Sequence, residues 1–143
     1  VGSWGAARAY EEHCRTLAEA LGLERHVRFR GSVSDVVLAA HYAAADVFLC
    51  LSDHEGFCVP LVEAMAAGLP VVAYASTAIP ETLGDAGLLL EEKPPSLVAE
   101  AVAETLVNAA LQARMAAARP ERLRATDPEE FERRLVAFVE AIP

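Results

Sequence analysis

Two glutamates, Glu55 and Glu63, stand with seven residues between them in the stretch from Ser52 to Ala73. A carboxylate accepts short, charge-assisted hydrogen bonds from hydroxyl pairs, which suits a polyhydroxylated ligand. Between the two lie Gly56, Phe57, Cys58 and Val59, then Pro60. Pro60 suits the first turn of a helix, because the N–H it lacks has no partner there. A helix N-terminus with free backbone amides attracts anions. One reading is that the amides of Gly56 to Val59 hold a diphosphate while the glutamates take sugar hydroxyls on either side. The other is that Glu63 complements the helix dipole and Glu55 is an exposed loop residue. The spacing of the two glutamates alone leaves both open.

The flanking elements put this stretch where ligands bind. Asp46 to Leu51 is an apolar run of the kind found when both faces of a sheet are covered. Gly68 and Pro70 end the motif helix before a second buried strand, Val71-Val72-Ala73. A loop at the carboxyl end of a parallel strand, feeding a helix, is the usual anion site of such sheets. Along the rest of the chain, helices are expected over Ala6–Leu21, Asp35–Tyr42 and Pro80–Leu83. A long Ala-rich helix is expected from Pro95 to about Ala118, and a last one from Pro128 to Ala141. Short strands are expected at His26–Arg30 and Gly87–Leu90. This alternation predicts an α/β fold, a Rossmann-like doubly wound parallel sheet with helices on both faces.

The composite pattern is more specific than the two glutamates. Ser52, Glu55, Gly56, Phe57, Pro60, Glu63, Ala64, Met65, Ala66, Gly68, Pro70, Val71 and Val72 resemble the donor-binding motif of the retaining GT-B glycosyltransferases, the family 4 or group 1 type. That motif reads Ser-x-x-Glu-Gly-Phe-Gly-x-Pro-x-x-Glu-Ala-Met-Ala-x-Gly-x-Pro-Val-Val. Val27 to Gly31, Tyr42 to Asp46, Ile79-Pro80-Glu81 and Asp85 to Leu89 resemble further segments of the same family. The resemblance implies the C-terminal donor-binding half of a GT-B enzyme. Such an enzyme moves a hexosyl group from a nucleoside diphosphate sugar to an acceptor hydroxyl on a glycan, lipid or small molecule. It implies Glu55 as the catalytic, sugar-orienting carboxylate and Glu63 as the ligand of ribose hydroxyls. Gly56, Phe57, Cys58 and Val59 are implied at the diphosphate, Gly31, Ser32 and Val33 at the base, and Glu81 in the pocket wall. For Gly31 to Val33 an ordinary turn stands as the alternative, and for Glu81 a helix-dipole role.

Three departures accompany the likeness. Cys58 occupies the second motif glycine, at a point of close approach to phosphate. Ala75-Ser76-Thr77-Ala78 replaces a loop that is often glycine-bearing in relatives. The family's opening strand, Gly-Arg turn and Lys-bearing helix have no counterpart in the 143 residues. The expectation is therefore a single nucleotide-sugar-binding domain over 1–143, with a C-terminal helix region at 120–143. It would be a fragment lacking its first strand and its N-terminal acceptor domain, inactive by itself and prone to self-association.

Composition narrows the partners. A net charge of −9 and a pI near 4.9 disfavour nucleic acid, whose phosphates repel such a chain. A hydrophobic fraction of 54% is ample for a core. Three cysteines, odd in number and irregularly spaced, suit a reducing compartment, so a cytoplasmic location is expected, membrane-peripheral in a longer protein. No Asp-x-Asp motif is present, and neither metal nor cofactor is expected beyond the nucleotide-sugar substrate. Two alternatives remain beside the transferase. One is a non-catalytic nucleotide-binding or assembly module of the same fold. The other, ranked lower, is a sugar-nucleotide epimerase.

Overall fold

A computed structural model describes residues 8–127 and 129. The chain divides into two compact units, Val1–Ala40 and His41–Pro143.

In the first unit, α1 (Arg8–Ala20) carries an i,i+4 ion pair between Glu11 and Arg15. The Arg15 guanidinium also lies 4.5 Å from the centre of the Phe29 ring. Gly22, at φ +68°, takes the left-handed conformation that ends the helix, and Leu23 N–H donates back to the Ala18 carbonyl at 2.8 Å. Cys14 is half-buried. The strand expected at His26–Arg30 does not form: these residues are turn and irregular backbone. A strand needs a neighbour to complete its ladder, and among the described residues none pairs with this segment. Gly31, at φ +59°, turns the chain toward α2 (Asp35–Ala44), which runs on into the second unit.

The second unit holds three parallel strands in the order β1 (Phe48–Cys50), β2 (Val71–Tyr74), β3 (Leu88–Leu90). Phe48 pairs with Val71, and Val72 with Leu88. The crossovers contain α3 (Val59–Ala66) and α4 (Ile79–Leu83), the latter followed by a 3₁₀ turn at Gly84–Ala86. Helices α5 (Pro95–Val107) and α6 (Ala109–Ala125) follow. The central strand is buried on both faces. Val71 and Ala73 join Leu61, Met65, Ile79 and Leu83 on one side. Val72 joins Leu90, Val98 and Ala101 on the other. The sequence therefore reads correctly as a doubly covered parallel α/β sheet.

The C-terminal helices depart from expectation. The Ala-rich run is two helices, broken at Asn108, which is extended at φ −88°, ψ 94°. Its side-chain carbonyl accepts from Leu111 N–H at 2.9 Å and caps α6. Gln112 in turn donates to the Thr105 carbonyl at 2.9 Å and closes the end of α5. The second of these helices runs past the expected end near Ala118, with Pro120 inside α6. There Arg119 and Arg122 donate to the carbonyls of Leu69 and Glu81, tying the helix to the unit across the proline. The helix expected at Pro128–Ala141 lies outside the described residues. Among the described residues no helix is long and apolar enough to cross a membrane.

Candidate functional site

The loop from Leu51 to Cys58 leaves β1 at the carboxyl end of the sheet and delivers the chain to α3. Its shape is held by hydroxyls from the segment after β2. The Ser76 hydroxyl donates to the Ser52 carbonyl at 2.7 Å. Thr77 binds the main chain of Glu55 twice. Its oxygen accepts from the Glu55 N–H at 2.8 Å, and its hydroxyl donates to the Glu55 carbonyl at 2.7 Å. The Thr82 hydroxyl donates to the Phe57 carbonyl at 3.0 Å. Lys93 completes the set with a 3.0 Å bond to the Leu51 carbonyl and an ion pair to Asp53. Thr77 itself holds φ +39°, a conformation rarely kept without such bonds.

Cys58 is the residue before the first helical turn, with φ +61° and ψ +66°. The position where related motifs carry glycine is thus a left-handed one, and the cysteine pays the steric cost a glycine avoids. Its side chain does not cap the helix. Instead Sγ is buried 3.9 Å from Cys50 Sγ. Burial, reinforced by the neighbouring Cys50 thiol, pushes the Cys58 thiol up to about 12. Among the described residues none accepts a hydrogen bond from the amides of Gly56, Phe57, Cys58 or Val59. Phe57 and Val59 are exposed beside them. Four free donors thus stand at a helix N-terminus, which is a favourable seat for an anion.

Glu63 lies on α3, half-buried, and its Oε2 accepts from the Tyr42 hydroxyl at 3.0 Å. The same hydroxyl is 3.2 Å from the Pro60 carbonyl. Burial first, then the Glu63 carboxylate, raises the Tyr42 pKa above its ordinary value. Tyr42 also packs on Phe48, ring centres 6.2 Å apart, so the residue that orients Glu63 is itself anchored on β1.

Of the residues expected from sequence, Glu55, Gly56, Phe57, Cys58, Val59 and Glu63 come together in this loop and the helix that follows. Glu81 is exposed on α4, next to the Thr82 that bonds the loop. Gly31, Ser32 and Val33 lie on a loop of the first unit. Three things escape sequence reasoning. One is the Tyr42 bond to Glu63. Another is the stitching by Ser76, Thr77 and Thr82. The third is that Cys50 Sγ, Cys58 Sγ and a Glu55 carboxylate oxygen all lie within 4.8 Å of one another. Ser76 and Thr77 stand in the departure after β2, but only the fold shows what they bond.

Comparison with known proteins bears on this geometry. Residues 1–122 match the model of the family described as glycosyl transferases group 1. The chain is 41% identical over 108 residues to a GDP-mannose-dependent alpha-(1-6)-phosphatidylinositol monomannoside mannosyltransferase of Mycobacterium tuberculosis, covering 69% of this chain and 28% of that protein. It is 39% identical over 123 residues to a phosphatidyl-myo-inositol mannosyltransferase of Mycobacterium leprae, covering 84% of this chain and 32% of the relative. Among solved structures, sucrose-phosphate synthase from Thermosynechococcus elongatus superposes with a TM-score of 0.69 at 30% identity, over 82% of this chain and 30% of that one. Anabaena HepE, solved with UDP and glucose, superposes with a TM-score of 0.81 at 23% identity, over 96% and 38%, a likeness of fold. The chain spans about a third or less of the length of the curated relatives it matches.

Proposed function

Starting from a chain that belongs to the group 1 glycosyl transferases, we propose that it binds the nucleoside diphosphate sugar from which a retaining transferase moves a hexosyl group to an acceptor hydroxyl. The observation that carries this reading is the set of unpartnered amides from Gly56 to Val59, flanked by Glu55, whose main chain is fixed, and by Glu63, whose carboxylate is held by Tyr42. In that arrangement the amides take the diphosphate. They offset the charge that develops on it as the sugar departs, with donors already in place before the reaction. Glu63, held by Tyr42, accepts from ribose hydroxyls. Glu55, whose main chain is clamped by Thr77, orients the sugar. Glu81 adds a donor contact from α4, and the transfer itself needs no metal. The mycobacterial relative named as GDP-mannose-dependent favours a guanosine diphosphate mannose donor. The acceptor and its domain belong to the rest of a longer transferase in the cytoplasm.

A calorimetric panel of nucleoside diphosphates and their sugars tests the assignment. Glu63→Ala is expected to weaken binding of the bare nucleoside diphosphate more than Glu55→Ala. A lost charged hydrogen bond costs about 1.5–3 kcal/mol. Equal losses, or a larger one at Glu55, contradict the division of roles.

A further inference from the structure

We propose that Cys50, Cys58 and Glu55 form a site for a thiophilic divalent cation of the zinc class, and that its occupant competes with the sugar donor. The three ligand atoms, two thiol sulfurs and a carboxylate oxygen, lie within 4.8 Å of one another. The sulfurs are 3.9 Å apart. Two thiolates each about 2.3 Å from a tetrahedral zinc ion are separated by roughly 3.8 Å, so the pair already spans one edge of such a tetrahedron. The carboxylate supplies a third corner, and water takes the fourth. Sulfur with a carboxylate oxygen suits zinc or cadmium better than magnesium or calcium, which favour oxygen alone.

The backbone is arranged for this. Cys50 ends β1, and its partner Cys58 takes a left-handed conformation just before α3. Thr77 fixes the main chain of Glu55 from behind. The thiols are buried while Glu55 is half-buried and Gly56 and Phe57 are exposed, which leaves the ion a way in from solvent. Binding balances simply. The cation displaces one proton from each thiol, meets an ionised carboxylate, and leaves a site of net charge −1 with two protons released. No electron is transferred. The competition rests on the reading of Glu55 as the sugar-orienting carboxylate, because an ion holding Glu55 withdraws it from the donor.

The test titrates the reduced protein anaerobically with Cd²⁺, without nucleotide, and follows the thiolate-to-metal charge-transfer absorption. One cation per chain is expected, displaced by Zn²⁺. Cys50→Ser and Cys58→Ser should abolish the band, Cys14→Ser should leave it intact, and Glu55→Gln should weaken binding at least about tenfold. Absence of the band in the wild-type protein overturns the site, as does its survival in both cysteine variants. Titration of nucleotide sugar into cation-loaded and cation-free protein then tests the competition separately. Weaker donor binding by the loaded form supports it, and unchanged affinity overturns it.

Discussion

The Tyr42 hydroxyl and the Glu63 carboxylate meet at 3.0 Å, across 21 residues of chain and from two different helices. One hydrogen bond thereby sets the direction of the carboxylate that the proposed function places at the ribose. Tyr42→Phe keeps the ring packed on Phe48 and removes only the hydroxyl. The expected loss in stability is about 1 kcal/mol, read from urea denaturation. Nucleoside diphosphate affinity should fall several-fold in parallel. Unchanged affinity would mean that Glu63 needs no help in finding its orientation.

The same tyrosine makes the chain sensitive to alkali. Its pKa is raised above 10.0 in the folded state by burial and by Glu63. Below pH 10 the phenol is protonated in both folded and unfolded chains, and its full contribution to stability is present. Above pH 10 the unfolded chain ionises first, so stability falls as pH rises toward the folded-state pKa. Denaturation midpoints measured from pH 9 upward should fall less steeply in Tyr42→Phe than in the wild type. Parallel curves would remove Tyr42 as a source of the effect.

At Cys58 the backbone favours glycine and the packing favours sulfur. Cys58→Gly removes a left-handed strain of roughly 1–2 kcal/mol but also the buried thiol and some rigidity of the unfolded chain. The net change should lie within about 1 kcal/mol of zero by these offsetting costs. Cys58→Val keeps apolar volume but places a β-branched residue at φ +61°, and it should be the more destabilising of the two. A valine variant as stable as the glycine variant would show that the backbone at this position relaxes.

Thr77→Val removes the hydroxyl that serves both the N–H and the carbonyl of Glu55. Thr77 is exposed, so global stability should change by only about 1 kcal/mol, whereas amide exchange at Glu55 should accelerate. Sugar-donor binding should weaken more than binding of the bare nucleoside diphosphate. If Glu55 exchanges no faster in the variant, the loop does not depend on this clamp.

Much of this molecule is readable in one dimension because its signals are local. Pro60, Gly68 and Pro70 bound α3 through the conformations their own backbones allow. The apolar run at β2 declares a strand covered on both faces, since only such burial tolerates its continuity, whereas the similar run at β1 forms an edge strand among the described residues and leaves Leu49 exposed. The carboxylate spacing and its glycines likewise survive as a linear pattern, because a loop-to-helix anion site is built from consecutive residues. Signals that require a partner elsewhere fail. His26–Arg30 has strand-like residues, but a strand exists only where another completes its hydrogen bonds, and none of the described residues does. Asn108 breaks an Ala-rich run because its cap and the Gln112 bond act together, a choice that helix propensity alone does not anticipate. The bonds from Tyr42 to Glu63 and from Thr77 to Glu55, and the approach of Cys50 to Cys58, depend on which helix and loop end the fold brings alongside the motif. Tertiary packing decides those contacts, because side chains far apart in sequence share a hydrogen bond only after the sheet and its crossovers have formed.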